Sequence, residues 1–503
     1  MSRLSLATLG RAAPGVGRPR YDPARAGTAI VHLGVGNFHR AHQAAYTDDA
    51  MAGGDTGWGI VGVSLRSAAT RDALAAQDGL YTLIERDARG DRARIVGAVR
   101  ELMVAPESPQ AVVARIAARA TRIVSLTITE KGYCRAGPGG GLDLGAPEIA
   151  HDLGHPERPA SAIGLLHAAA VRRLLDRAPG FTVLSCDNLA GNGRITRELV
   201  LQFDDAIAAR HGATAAARPA GLRGWIEREL AFPDAMVDRI VPHTSAADRA
   251  LARALSGLDD AWPVATEPFR QWVIEDRFAA GRPQWQHHGA QFVDDVSSWE
   301  TMKLRLLNAA HSALAYLGVV AGLETVDRAI AEPALRGFIE AMWRDEVVPT
   351  LPAAVRAQAG PYCAALLARF ANPALAHRTR QIAMDGSQKL PLRLVPTLRA
   401  RLAANQPAQR VALAIAAWIR FLEGRTEAGE RYAIDDPMSA RLAEGLAAAG
   451  AEPRAAAAAL LRVEPVFGAE LRENAAALEA IATQLAAIRA LGCVGAARAT
   501  IAQ

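Results

Sequence analysis

The chain has 503 residues, half of them hydrophobic and 22% charged, with a formal net charge of +5. That length exceeds what one hydrophobic core organises, so two domains are expected, and the composition is that of an ordinary soluble globular enzyme. The small net charge and the lack of any Lys/Arg block argue against a nucleic-acid partner. Cys134, Cys186, Cys363 and Cys493 are scattered without CxxC or metal spacing. They read as reduced thiols of a cytoplasmic protein, with neither a zinc site nor a disulfide framework. No apolar run has the length of a transmembrane helix, so no membrane partner is expected.

The first twenty residues hold four arginines and no acid, broken by Gly and Pro, and predict a loosely packed lead. Thr28 to Leu33 is a short apolar strand between Gly27 and Gly34, followed from Gly34 to Ala50 by helical periodicity. Strand, glycine turn and helix form the first unit of a dinucleotide-binding βαβ fold. Gly34 permits the turn, Gly36 lets the backbone approach a pyrophosphate, and the helix N-terminus faces the anion. The third glycine of the usual fingerprint is missing, and His39 follows instead. Trp58 to Leu65 is a second strand. No acid follows it until Asp72, whereas Arg66 and Arg71 are placed to meet a 2′-phosphate. Tyr81 to Asp87 and Arg92 to Val99 read as a hairpin about Ala88-Arg89-Gly90. Ile123 to Thr129 and Phe181 to Cys186 are β-branched apolar runs of the kind buried in parallel sheets. Open α/β sheets bind ligands at the carboxyl ends of their strands. Glu130 ends the first of these runs, and Asp187, Asn188 and Asn192 follow the second. Gly34, Gly36, Asn37, Phe38, Arg66 and Glu130 are the expected cofactor-binding residues.

A loop is expected between Ala208 and Leu222, and a further strand between Gln284 and Val296. Beyond Trp299 the chain is almost wholly helical, with helices over Pro333 to Glu346, Tyr362 to Phe370, Leu392 to Ala403 and Val411 to Glu423, then an Ala-rich set. The fold class is therefore α/β, with a Rossmann-like domain over 1–296 and a helical catalytic domain over 297–503.

Trp299 to Gly318 organises the second part. It is apolar almost all round, free of Pro, and closed by Gly318. With Glu300 at zero and ~100° per residue, Lys303 falls near −60°, His311 near +20° and Asn308 near +80°. These four share a wedge of about 140°, with Arg305 and Ser312 outside it and facing solvent. A lysine in such a place is neutralised by burial and becomes a base.

With these blocks in hand, the chain resembles the polyol-specific long-chain dehydrogenases, the mannitol dehydrogenase family. The likeness runs through GVGNFHRAHQ from Gly34, SLTITEKGYC ending at Cys134, SCDNLAGNG from Ser185 and MVDRI from Met236. It continues through EPFRQWVIED from Glu267, GRPQW from Gly281, MKLRLLNAAHSALAYLG from Met302 and QIAMDGSQKLP from Gln381. The resemblance implies metal-independent hydride transfer between NAD or NADP and a secondary alcohol. It makes Lys303 the base. Asn308, with Asn188 or Asn192, holds the reacting oxygen, His311 orients the substrate, and Glu300 stands near the proton exit. Asp238 and Lys389 fall on positions near the substrate. The arginine that contacts the polyol in the mannitol enzymes is Gln381 here, with Arg380 beside it, and the acidic pair after the second strand is Ala68-Ala69. The tract from Arg378 and the Lys131 after Glu130 are closer to the fructuronate reductase pattern. The expected reaction is therefore D-mannonate/D-fructuronate interconversion, with D-mannitol/D-fructose as the alternative, in a monomer or small homo-oligomer. Read without the resemblance, Lys303 also fits a nucleotide-sensing protein with a buried polar network, or a Schiff-base enzyme.

Overall fold

The computed structural model describes residues 2–137, 139–212 and 218–501. It forms two compact units, Met1–Ser297 and Ser298–Gln503.

In the first unit the strands are β1 (Thr28–Leu33), β2 (Gly59–Ser64), β3 (Tyr81–Asp87), β4 (Gly90–Val96), β5 (Val99–Val104), β6 (Ile123–Leu126), β7 (Thr182–Ser185), β8 (Ala235–Asp238), β9 (Val264–Thr266), β10 (Gln271–Glu275) and β11 (Gln291–Val293). The main sheet has the order β5-β2-β1-β6-β7 and is parallel throughout. Two smaller sheets run β11-β10-β8 and β4-β3-β9. Alternation along the strands sends Val31, Leu33, Val61, Val63, Val124 and Leu126 into one core, and Ile30 and Ile60 into another that also holds Tyr46, Trp272 and Trp285. Both faces are thus covered, which is why these strands read as unbroken apolar runs. Each fully buried Val, Leu or Ile contributes about 1.5–3 kcal/mol.

Several expectations from the sequence change in detail. The hairpin turn is Ala88-Arg89, with Gly90 already paired to Asp87. The return strand stops at Val96, and Val99 opens β5, the edge of the main sheet. The segment after Gln284 is mostly not a strand: Trp285–His288 is a 3-10 turn whose indole is buried, and only Gln291–Val293 pairs. The lead is docked rather than loose, since Leu4 is buried with Leu80, Ile95 and Leu258 and its N–H donates to the Asp259 carbonyl at 2.9 Å. Of the loop expected between Ala208 and Leu222, Ala208 to His211 complete a helix from Asn192, and residues 213–217 lie outside the described residues.

The second unit is helical. Its first helix runs on from Ser297 to Val320 but changes character inside: Ser297–Met302 is α, Lys303–Asn308 is π, and Ala309–Val320 is α. The Ala309 N–H reaches back to the Leu304 carbonyl, five residues before it. Gly318 does not close this helix. It lies two residues inside the end, where an added Cβ would come within 3.1 Å of Thr379 Cγ2, and Gly322, at φ +78°, takes the left-handed place beyond the end. Ala475–Ile501 is long and apolar enough to cross a membrane by length and composition, unlike the reading from the sequence. It breaks at Gly492 (φ 73°) and packs on the Gln409–Phe421, Pro453–Leu461 and Pro333–Ala341 helices, as a core helix does.

Candidate active site

The order of the main sheet reverses between β1 and β6, and open α/β sheets hold their ligands at the carboxyl end of such a switch point. Gly34 leaves β1 there at φ +95°, and an added Cβ would lie 2.2 Å from the Thr127 carbonyl oxygen at the end of β6. That position needs glycine for folding. Gly36 does not: a Cβ would meet nothing nearer than the Gly34 carbonyl at 3.8 Å, so the missing side chain only bares the backbone on the ligand side. The helix beyond is shorter than its periodicity suggests. Asn37–Ala41 stops at His42, and a second helix runs over Gln43–Ala52. Asn37 is a brace, its amide donating to the Pro242 carbonyl (3.2 Å) and Thr244 Oγ1 (3.1 Å) while Oδ1 accepts from Arg40 (2.7 Å). Phe38, half-buried, stacks on His42.

In place of the third glycine, His39 lies flat on His32, with ring centroids 3.5 Å apart. Burial pushes His32 and His42 down to about 3 and holds His39 well below the ordinary imidazole value, so all three are neutral. His32 Nδ1 pairs with Ser125 Oγ at 2.8 Å and Nε2 with Thr127 Oγ1 at 2.9 Å, tying the start of the turn to β6.

At the end of β6, Thr129 takes a left-handed backbone (φ 64°), a strained conformation for a β-branched residue. It is held by Asp187, whose carboxylate accepts from Ile128 N (3.0 Å), Thr129 N (2.9 Å) and the Tyr133 hydroxyl (2.8 Å). Burial raises the Asp187 pKa against the pull of these donors. Glu130 and Lys131 are exposed just beyond. The two asparagines of the next loop separate cleanly. Asn192 is fully buried, its amide N–H groups donating to the Asp187 and Ala235 carbonyls (3.0 and 2.7 Å) and its oxygen accepting from Ala235 N (2.9 Å). With its hydrogen bonds spent on the backbone, Asn192 is a fastening of the loop. Asn188 is exposed at the carboxyl end of β7. Asp238 ends β8 and is buried. Arg66 is exposed after β2, whereas Arg71 is committed to Asp72 (2.6 Å) and to both oxygens of Glu107 (2.5 and 3.0 Å). That corrects the reading of Arg71 as a phosphate ligand.

In the second unit the π segment alters the wedge. Lys303 and Asn308, five residues apart, would sit about 140° apart on an α-helix, but the i→i+5 ladder puts them one turn apart on one side. Lys303 and His311 are buried, each 8% exposed, while Asn308 and Glu300 are half-buried. His311 packs on Phe370 (4.6 Å between centroids) and meets His377 edge-on (5.5 Å). Burial first, then His377, Arg369 and Arg393, hold it well below its ordinary pKa, so it serves as a neutral hydrogen-bonding group. Ser312 does not face solvent. It is fully buried and accepts from Arg393 at 3.1 Å, and Arg305 is half-buried, donating to the Thr350 carbonyl at 2.8 Å.

Lys389 is set by the turn before it. Asp385 is left-handed (φ 55°), Gly386 lies where a Cβ would come within 2.3 Å of Trp418 Nε1, and Ser387 binds Asp436 through both its N–H (2.7 Å) and its hydroxyl (2.6 Å). The Lys389 ammonium donates to the Ile382 and Met384 carbonyls (3.1 and 2.5 Å), and burial lowers its pKa. Arg380 is not among the groups about His311. It is exposed over the Tyr432 ring (5.3 Å) and lines a cavity of about 320 Å³ with Glu324, Thr426 and Glu430. Gln381 is exposed beside it. Among the described residues, no group of three or more His, Cys, Asp or Glu is placed to hold a metal ion.

Residues 28–287 match the mannitol dehydrogenase Rossmann domain, and residues 295–489 match the mannitol dehydrogenase C-terminal domain. The chain belongs to the mannitol dehydrogenase family. A mannitol 2-dehydrogenase of Aspergillus terreus is 41% identical over 91% of this chain and 90% of its own. The structure is similar to that of Pseudomonas fluorescens mannitol 2-dehydrogenase in a ternary complex with NAD and D-mannitol, at 38% identity and TM-score 0.80 over the whole of both chains. It is also similar to a substrate-free D-sorbitol dehydrogenase, at 34% identity and TM-score 0.90 over 99% of this chain and all of the other. As a mannitol dehydrogenase family member the protein is an oxidoreductase, which removes the nucleotide-sensing reading.

Reading the sequence missed Arg393, His377 and Trp343. Arg393 was within reach, four residues after Lys389 and so on the same face of its helix. Nothing in the sequence ties His377 or Trp343 to the Lys303 helix, because those contacts exist only in the fold.

Proposed function

We propose that the protein is an NAD-dependent polyol dehydrogenase acting at a secondary alcohol of a hexitol, with D-mannitol/D-fructose as the leading pair. The observation that carries this is the state of the second unit's cations on which a sugar-acid substrate would draw; Lys131, the first unit's candidate, is exposed and does not separate the two readings. Lys389 spends two of its three N–H groups on backbone carbonyls, Arg393 is turned to Ser312, and Arg380 lies on Tyr432. A carboxylate would have to take these from existing partners, whereas neutral hydroxyls need only the remaining donors and acceptors. The names of the relatives, which span over nine-tenths of the chain, support the same reading. The polyol alternative therefore replaces the sugar-acid expectation.

In this reading residues 28–287 bind the dinucleotide, with Gly34 and Gly36 baring backbone at the switch point. Bound NAD supplies the hydride acceptor. Lys303 takes the hydroxyl proton as the hydride leaves, and Asn308, on the same side of the π turn, donates to the oxygen as negative charge develops on it. His311 holds a neighbouring hydroxyl. Kinetics with mannitol, arabinitol, fructose, fructuronate and tagaturonate under one condition test the assignment. We expect kcat/KM for fructose to exceed that for fructuronate by at least tenfold (~1.4 kcal/mol). The reverse order overturns the polyol assignment.

For the cofactor, Ala68 and Ala69 offer no carboxylate to repel a 2′-phosphate, and Arg66 is exposed beside them. NADPH should therefore be used within about a thousandfold of NADH (~4 kcal/mol). Ala69→Asp should shift the ratio of kcat/KM values towards NADH by tenfold or more, and an unchanged ratio would place the ribose elsewhere.

A further inference from the structure

A single π turn inside a long α-helix is a departure that the helix alone does not favour, and it redirects the peptide carbonyls around it. In this protein that turn begins at Lys303 and ends at Asn308. Side chains from elsewhere in the second unit reach its carbonyls. Trp343 Nε1 donates to the Leu306 carbonyl at 3.0 Å in a buried bond. Arg393 donates to Ser312 Oγ at 3.1 Å, and the same nitrogen lies 3.5 Å from the Asn308 carbonyl oxygen, long for a hydrogen bond but directed at the last peptide of the turn. From within the turn, Arg305 donates outward to the Thr350 carbonyl at 2.8 Å and to its hydroxyl at 3.1 Å. Trp343 stands in a second π turn, Met342–Val347, and its ring is 6.2 Å from Phe370, the ring on which His311 packs.

We propose that Trp343 and Arg393 are positioning residues that clamp the Lys303–Asn308 turn in its π register, so that the base and the oxygen-binding amide share one side of the helix. The proposal rests on the reading of Lys303 and Asn308 as the reacting pair. If the turn relaxed to α, the two side chains would part by about 140°, with the fold and the dinucleotide domain otherwise intact. A clamp on the carbonyls acts on the reaction rather than on substrate capture, so its loss falls on kcat.

The test uses the full-length enzyme with Arg393→Met, Arg393→Lys, Trp343→Phe and Lys303→Ala, measuring kcat, KM, the NADH dissociation constant and Tm. Trp343→Phe keeps an aromatic ring but loses the N–H together with the five-membered ring of the indole, so Tm is needed to report the packing cost; Arg393→Lys keeps a donor to Ser312. Arg393→Met and Trp343→Phe should each lower kcat tenfold or more at a temperature well below the Tm of either variant, with KM within about threefold and NADH binding unchanged. Arg393→Lys should recover most of the loss. If Lys303→Ala is inactive while Trp343→Phe and Arg393→Met keep wild-type kcat, the clamp is overturned and the assignment of the base stands. Losses that follow a fall in Tm, or an Arg393→Lys enzyme as impaired as Arg393→Met, show packing alone and also overturn it. Substantial turnover by Lys303→Ala removes the reacting pair, and the clamp with it.

Discussion

Replacing Lys303 with alanine is expected to lower kcat by about 10²–10⁴, the contribution of a well-placed general base. The side chain is 8% exposed on a helix whose other faces are apolar, so no bulk water stands ready to take over the proton. Binding of NADH should survive, because the residues assigned to it belong to the first compact unit. Added small primary amines should restore part of the rate, in proportion to their basicity and inversely to their bulk, by occupying the space left behind. A melting curve controls for the cavity, since the loss of a long side chain from a buried place has its own cost. Activity within tenfold of wild type would show that another group accepts the proton. Borohydride trapping of substrate on Lys303 would point instead to covalent chemistry.

Acid should destabilise the protein well before its carboxylates titrate. His32 and His42 are held at about 3 by burial, and His39, crowded by His32, Arg40 and His42 as well, lies well below its ordinary value. In the unfolded chain each would bind a proton near pH 6.5. Between pH 6.5 and about 3 the unfolded state therefore carries more protons than the folded one, and stability falls as the pH is lowered through that window. Above pH 6.5 the contribution is complete. A gap of about 3.5 pH units is worth up to ~5 kcal/mol per histidine, and a typical domain has only about 5–15 kcal/mol in all. Unfolding should thus occur before the lower limit is reached. Asp48 and Asp187, whose burial raises their carboxyl pKa, act with the opposite sign. The discriminating measurement is therefore a variant. His39→Phe keeps a flat ring against His32 and removes one imidazole, so its Tm should fall less steeply from pH 7 to pH 4.5, by the slope of about one proton. Parallel curves for the two proteins would show that the stacked histidines do not govern acid stability.

Much of this architecture was legible in the chain because local pattern and burial agree. TAIVHL is β1 to the residue, since an apolar β-branched run between two glycines has little else to be. The glycine turn, the strand ends that carry Glu130 and Asn188, and the helix that carries Lys303, Asn308 and His311 were likewise readable, as were the family blocks. What the sequence could not say was decided by contacts between distant residues. Asn188 and Asn192 are equivalent as letters. Only the approach of Ala235, 43 residues further on, consumes the amide of Asn192. Arg71 was open to a phosphate until the fold brought Glu107 to it. Gly318 reads as a helix end, but it is the place where Thr379 packs against a helix that continues. The π turn was invisible for the same reason. Periodicity assumes a regular ladder, whereas the carbonyls of the Lys303–Asn308 turn are met by Trp343 and Arg393, 37 and 85 residues away from the carbonyls they approach. The sequence by itself determined which residues could do the chemistry; the tertiary structure decided which way they point, because orientation depends on partners that no local pattern contains.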